Sequence, residues 1–134
     1  MIKYVIRAKK NPLSRVVKYY PQIASTTPVT LAQIVKRIEK RSTVSSADVK
    51  AVLDALQYEV IEALQNGNSV RLGDLGSFRL SIKANGSDSS AEARKTGANA
   101  IKAINVQFTK STAMRDALSP SGVEFALQED ISND

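Results

Sequence analysis

The side chains of this 134-residue chain that could carry chemistry are its charged ones, because the sequence contains neither histidine nor cysteine. Without imidazole and thiolate groups, the usual zinc, copper and haem-iron ligands are missing, and so is the usual general base. The thirteen Asp and Glu residues are scattered, mostly at positions that suit solvated helix faces or a tail. We therefore expect no enzyme, no metal site and no cofactor, although a carboxylate or lysine enzyme stays possible in principle. The lack of cysteine fits a reducing cytoplasm.

The positive charge is concentrated in the first third of the chain. The formal net charge is +6, and residues 1–41 hold ten of the nineteen Lys and Arg residues but only one acidic residue, Glu39. Such a segment attracts polyanions, because each phosphate that it neutralises releases condensed counterions. Charge alone leaves open the alternative of a solvated cationic surface without a partner. We expect neither a membrane span nor a secretion signal, since no apolar run is long enough.

The elements that must position these charges begin with a β-hairpin. Residues 2–7 and 15–20 have β character, and Asn11-Pro12-Leu13-Ser14 between them suits a turn. Pro21 and the Ser/Thr/Pro cluster at residues 25–28 then predict a linker. Residues 1–28 are therefore predicted to form an N-terminal extension.

Two amphipathic helices joined by a short turn are predicted next. Apolar residues recur at helical spacing over Leu31–Arg41 and again over residues 49–64. Thr30 and Ser45 precede these two stripes as N-caps. Gly67 ends the second helix, since glycine adopts the left-handed conformation without steric cost.

Past Gly67 the pattern becomes that of three short strands, separated by a tight glycine turn and by a long polar excursion. The strands are predicted over residues 70–72, 77–84 and 103–108, and the excursion, a long loop or protruding ribbon, over residues 85–100. Apolar and polar residues alternate along the second strand, so one of its faces is apolar and the other polar. A short helix over Thr112–Leu118 and an acidic tail over residues 119–134 complete the chain.

Two motifs lie at a characteristic separation around these elements. Residues 70–78 read Val-Arg-Leu-Gly-Asp-Leu-Gly-Ser-Phe, and Phe108-Thr109-Lys110 leads into residues 114–118. Together they resemble the HU and integration-host-factor family, whose final Phe-x-x-Gly-Lys motif lacks its glycine here. The resemblance covers residues 29–118 and implies an α+β fold. In that fold a two-helix hairpin packs on a three-stranded antiparallel sheet with a protruding β-ribbon arm and a short C-terminal helix, to which this chain adds an N-terminal β-hairpin.

The resemblance also implies a function and a site. It implies that this chain is a non-enzymatic, largely sequence-independent binder of double-stranded DNA in the bacterial nucleoid, hence in the cytoplasm, and that it acts as a homodimer. In the family, the polar sheet face forms a saddle for the duplex, and the two arms reach around the minor groove. Residues in these roles would position the protein on backbone phosphates without reading bases. The residues carried over are Arg71, Arg79, Ser81, Lys83 and Lys102 on the sheet, Arg94 and Lys95 in the arm, and Lys110 and Arg115 beside the final helix.

The arm departs from the family pattern. Residues 85–100 contain Arg94 and Lys95 but also Asp88 and Glu92, and they contain no proline that could wedge between base steps. Groove insertion and strong bending are therefore in doubt, whereas contact with the backbone is retained as an expectation. This departure leaves open an alternative function for the chain, that of a structural or protein-interaction module that keeps the fold but binds DNA weakly or not at all. A third alternative, ranked below these two, is a sequence-specific DNA binder related to integration host factor.

The additions at the two ends leave further alternatives open. The Lys and Arg residues of the N-terminal hairpin extend the DNA-contact surface in one interpretation. In another, the hairpin is a structural cap that pairs with the alternating segment Val123–Leu127 to cover a sheet edge. The acidic residues Glu129, Asp130 and Asp134 have two interpretations: they compete electrostatically with DNA for the basic side chains, or they form a solvated tail.

Overall fold

The computed structural model describes residues 1–128, which form two compact units. Within these residues, the first unit consists of Met1–Thr30 together with residues 116–128, and the second is Leu31–Arg115. Each unit contains one three-stranded sheet. The acidic residues Glu129, Asp130 and Asp134 lie outside the described residues. In chain order the elements are β1 (Ile2–Lys10), β2 (Val17–Ile23), α1 (Leu31–Arg41), α2 (Ser46–Gln65), β3 (Val70–Arg71), β4 (Gly76–Ala84), α3 (Ser90–Thr96), β5 (Ile101–Lys110), α4 (Thr112–Ala117) and β6 (Phe125–Leu127).

The sheet of the first unit has the strand order β2-β1-β6. β1 and β2 form the predicted antiparallel hairpin; β1 extends three residues beyond the predicted strand, and β2 is shifted toward the C-terminus, since it begins at Val17 and ends at Ile23. β6 runs parallel to β1, with Ile2 opposite Phe125 and Tyr4 opposite Leu127. The predicted pairing between the hairpin and the segment after residue 122 is therefore confirmed, and β6 covers one edge of β1.

Pro21 lies within β2, so the prediction that it begins a linker is wrong. Its partner is Ile6 of β1, and β2 is an edge strand. The Ala24 N–H donates to the Lys3 carbonyl at 2.9 Å. Because hydrogen-bonded pairs alternate along an antiparallel ladder, this bond places the Pro21 nitrogen on the side that points away from β1. An edge position of this kind is where a strand tolerates proline.

Asn11 organises the turn of the hairpin. Its side-chain Oδ1 accepts hydrogen bonds from the N–H groups of Leu13 at 2.9 Å and Ser14 at 3.3 Å. Arg15 adopts a left-handed φ of 59°, and its N–H donates to the Asn11 carbonyl at 2.8 Å. The turn predicted at residues 11–14 is thus confirmed, with an Asx-type side-chain bond as its cause.

The first two helices of the second unit form where the sequence predicts them. α1 spans Leu31–Arg41, and α2 follows Ser45, whose Oγ accepts a hydrogen bond from the Asp48 N–H at 3.3 Å. Gly67, with a φ of 81°, follows the end of α2. Ser46 Oγ donates to a carboxylate oxygen of Glu39, which links the two helices. The most deeply buried apolar side chains described in this unit are Val35, Val49 and Leu64.

The second sheet has the strand order β3-β4-β5 with antiparallel pairing. Gly76 lies opposite Lys110 and Phe78 opposite Phe108, so the two motifs of the family resemblance are side by side. The rings of Phe78 and Phe108 have their centroids 5.1 Å apart at an interplanar angle of 52°. Ring pairs at this separation and tilt stabilise a fold by more than the burial of their apolar area alone.

Ser111 connects the end of β5 to the turn between β3 and β4. Its Oγ donates to the carbonyl of Asp74 and accepts the N–H of Met114 at 3.0 Å. Its own N–H donates to the carbonyl of Leu75 at 3.1 Å. One serine therefore caps the start of α4 and fixes it to the glycine turn.

The excursion between β4 and β5 contains a helix, which corrects the predicted loop or protruding β-ribbon arm. α3 occupies Ser90–Thr96, and a 3-10 turn over Gly97–Ala100 follows it. Ser89 Oγ accepts a hydrogen bond from the Glu92 N–H at 3.1 Å, and alanine is frequent in the segment. Ser and Glu at this spacing form a capping signal, and Ala, Arg and Lys favour helix. The pairing of β4 with β5 ends at Ala84 and Ile101.

Candidate nucleic-acid interface

One face of the β3-β4-β5 sheet gathers polar and basic side chains. Arg79 lies opposite Gln107, Ser81 opposite Asn105 and Lys83 opposite Ala103. Because side chains alternate between the two faces of a sheet, these residues share one face. Arg71 belongs to the same face, since its partner on β4 is Ser77. We call this surface the polar face; it consists of Arg71, Ser77, Arg79, Ser81, Lys83, Asn105, Gln107 and Thr109.

The polar face brings together four of the predicted site residues. Arg71, Arg79 and Lys83 are exposed and Ser81 is half-buried. Asn105 and Gln107 add hydrogen-bonding amides between these charges, although they are not among the predicted site residues. The signal that identifies them is the alternation along β5, combined with the register that sets them against Ser81 and Arg79.

Two predicted site residues on β5 do not share this register. Lys110 lies opposite Gly76, and it therefore alternates with Thr109 and falls on the other face at the end of the strand. Lys102 lies at the register shift opposite Lys83 and Ala84, where a bulge interrupts the alternation. Both lysines are exposed. They stand at the two ends of the strand rather than on the polar face.

The remaining predicted residues lie on short helices. Arg94 and Lys95 are in the last turn of α3, and Arg115 is in the last turn of α4. Cations are favourable at this end of a helix because the helix dipole is negative there. All residues of α3 are exposed. The arm thus presents its two cations on a helix, instead of along a β-ribbon.

The face opposite the polar face is apolar and largely uncovered within one chain. Ile82, Ile104 and Val106 are 59%, 63% and 59% exposed. On α2, Val52 and Ile61 are also exposed. An exposed apolar surface of this kind marks a contact surface more often than it remains solvated.

Within residues 1–128, no group of three or more His, Cys, Asp or Glu side chains is arranged to hold a metal ion. None of the helices in that part of the chain has the length and apolar character needed to cross a membrane. The groups that the polar face offers are hydrogen-bond donors and fixed positive charges, which match phosphate oxygens.

Solved structures with a similar fold define the class of protein. A candidate bacterial DNA-binding protein from Bacteroides vulgatus ATCC 8482 is similar with a TM-score of 0.67 at 18% identity; the match covers 94% of this chain and 47% of that one. HU from Anabaena, crystallised with DNA, is similar with a TM-score of 0.53 at 21% identity over 69% of this chain and 99% of that one. The chain therefore has an HU-like fold.

Sequence comparison identifies the family. The DNA-binding protein HU of Thermus thermophilus is 38% identical over 58 residues, which is 43% of this chain and 60% of that protein. A family model described as an HU domain fused to a wHTH, Ig or glycine-rich motif matches residues 1–125. The chain belongs to this HU-HIG family. It spans less than two thirds of the Thermus thermophilus protein and less than half of the Bacteroides vulgatus chain.

Proposed function

We propose that this protein binds double-stranded DNA through the phosphate backbone, largely independently of base sequence, as a non-enzymatic architectural protein of the bacterial nucleoid. The observation that carries the proposal is the polar face, where Arg71, Arg79 and Lys83 accompany hydroxyl and amide groups. Cations and neutral donors of this kind bind phosphate oxygens and fix the position of a protein on a duplex. The similarity to HU proteins that are named or crystallised as DNA binders supports the same function. We assign this function to residues 29–118.

The arm adds a second, smaller contact to this proposal. Arg94 and Lys95 lie together in the last turn of helix α3, where both are exposed. The segment between β4 and β5 has no proline, and its apolar residues other than glycine are alanines. Proteins that kink DNA insert larger apolar wedges between base steps. We therefore assign the arm to backbone contact in or near the minor groove, without a kink.

The DNA-binding unit acts as a homodimer in this proposal. On the apolar face of its sheet, Ile82, Ile104 and Val106 are each more than half exposed in a single chain. A second copy that places the same face against this one would form a two-fold interface, the commonest symmetry among soluble oligomers. Such a dimer removes the apolar surface from water and carries one polar face from each chain.

The experiment that tests DNA binding compares two double variants of equal charge. Arg79→Gln with Lys83→Gln removes two cations from the polar face, and Lys36→Gln with Lys50→Gln removes two from the helices. Fluorescence anisotropy on a labelled duplex of random sequence gives the dependence of log K on log salt. We expect the slope to become shallower by about 0.9 for each phosphate that the first variant no longer neutralises, and to stay unchanged in the second. An unchanged slope in the first variant would contradict the assignment.

A structural or protein-interaction module with weak or no DNA binding is the second candidate. The observation that favours it is the arm, where Glu92 in the first turn of α3 offsets part of the positive charge of Arg94 and Lys95. A chain that assembles in solution but leaves every duplex unbound at low salt would support this candidate over the first.

A further inference from the structure

The first unit carries a basic surface that the proposed function does not use. On the β1-β2 hairpin, Arg7 lies opposite Tyr20 and Lys9 opposite Lys18. These four residues share one side of the hairpin, because they alternate with Ala8 and Tyr19 along the strands. We call this surface the hairpin face. Residues 1–30 contain six basic residues and no acidic residue.

Lys9 and Lys18 are like charges in a direct cross-strand pair. Side chains in such a pair have their Cβ atoms about 4.5–5.5 Å apart, and like charges at that distance destabilise the pairing. The hairpin offers no carboxylate to offset them. Glu124 lies at the opposite end of β1, where its carbonyl accepts the Ile2 N–H at 2.7 Å. The repulsion between the two lysines therefore disfavours the bare hairpin, and a bound anion would relieve it.

Tyr20 orients one of these charges. The Lys9 Nζ lies 5.8 Å from the centroid of the Tyr20 ring, within the range of a cation–π contact. Lys9 and Lys18 are exposed, and both line an open groove with Lys10, Asn11, Ser14 and Tyr20. Ammonium, hydroxyl and amide groups thus line the same groove. These are the groups that contact backbone phosphates in protein–DNA complexes.

We propose that the hairpin face is a second contact for the DNA backbone. The inference rests on the proposed function, because it takes the duplex to be the polyanion that the chain meets. A duplex fits this surface better than a small anion, since its cations, Arg7, Lys9 and Lys18, are spread over two paired strands. An acidic protein segment is the other class of polyanion, and the test below separates it from DNA.

The test uses the full chain with Lys9→Gln and Lys18→Gln introduced together. Anisotropy on a labelled duplex of random sequence is measured over a range of salt concentrations. We expect the slope of log K against log salt to become shallower by about 0.9 for each of the two phosphates per chain that these lysines no longer neutralise. The charge-matched control is Lys36→Gln with Lys50→Gln, for which we expect the slope of the unmodified protein. Thermal unfolding should show that the hairpin variant is as stable as the unmodified protein or more so, because the like-charge pair is gone.

Each outcome has a separate meaning. A hairpin variant with the unmodified slope overturns this inference, and if Arg79→Gln with Lys83→Gln makes the slope shallower in the same assay, the proposed function stands. That pattern is also the one expected if the hairpin face binds an acidic protein segment. An equal change in the Lys36/Lys50 control assigns the effect to net charge and overturns the inference. Failure of the unmodified protein to bind any duplex at low salt overturns both proposals.

Discussion

Gly76 lies against the backbone of Thr109 across the β4-β5 pair. A methyl group on the Gly76 α-carbon would overlap the carbonyl oxygen of Thr109 and lie 2.8 Å from Cζ of Phe108. The φ of Gly76 is 152°, in a region that residues with a Cβ rarely adopt. The glycine of the Gly-Ser-Phe motif is therefore required by the close approach of two strands and by its own backbone conformation.

Gly76→Ala is expected to destabilise the second unit by at least about 2 kcal/mol, because backbone strain and overpacking act at the same position. Urea unfolding followed by circular dichroism measures this change. Gly73→Ala is the matched control, since Gly73 has a φ of 52° but nothing within 4 Å of the added methyl group. It should cost only about 1–2 kcal/mol, the usual penalty of the left-handed conformation. Equal losses in the two variants would refute the packing explanation.

Ser111→Ala tests the connection between the glycine turn and α4. The variant loses the bond from Ser111 Oγ to the Asp74 carbonyl and the bond from the Met114 N–H. We expect a decrease of about 1–2 kcal/mol in the free energy of unfolding, because a cap is removed and an N–H is left unsatisfied. Ser89→Ala removes the cap of α3 and should affect the arm alone, with a smaller change in global stability. A Ser111 variant as stable as the unmodified protein would exclude this role.

Val106→Asp tests the homodimer. Val106 is 59% exposed in one chain, so a carboxylate there is tolerated in a monomer but is buried without a partner in the proposed dimer. We expect the dissociation constant of the dimer to rise by roughly 100-fold or more, measured by sedimentation equilibrium. Gln107→Asp is the control on the polar face and should leave the mass unchanged. A Val106→Asp protein with the mass and stability of the unmodified chain would argue against this interface.

The helical arm predicts that the protein contacts the DNA backbone without bending the duplex. Energy transfer between dyes at the two ends of a short duplex should change little when the protein binds, because the arm has no apolar wedge larger than alanine. Arg94→Gln with Lys95→Gln should make the salt slope shallower by about 0.9 for each phosphate no longer neutralised, while leaving the energy transfer as it is. A large rise in energy transfer on binding would contradict this account of the arm.

The sequence predicts the parts of the fold that have strong local signals. α1 is predicted over its observed range because its apolar periodicity and following turn agree, and the Ser45 cap and Gly67 frame α2. The shared face of Arg79, Ser81 and Lys83 follows from strand alternation alone. Pairing between β1 and β6 is also anticipated by the alternating segment near the C-terminus.

The remaining features depend on information that the local pattern does not contain. Pro21 indicates a break, but the edge position of β2 removes the cost of its missing N–H. α3 lies in a polar, glycine-bearing stretch, and the Ser89–Glu92 spacing is its clearest signal. The positions of Lys102 and Lys110 depend on the register and on a bulge between two distant strands. Such pairings are set by tertiary contacts.

The most direct test of the central claim is a mobility-shift titration of the unmodified protein on two unrelated duplexes of equal length, from about 50 to about 200 mM salt. The account predicts that both duplexes bind with similar affinity and that log K falls linearly with log salt on both. Absence of a shift on either duplex at the lowest salt would contradict the claim of DNA binding. Preference for one duplex by about 1,000-fold or more would contradict the claim that binding is independent of sequence.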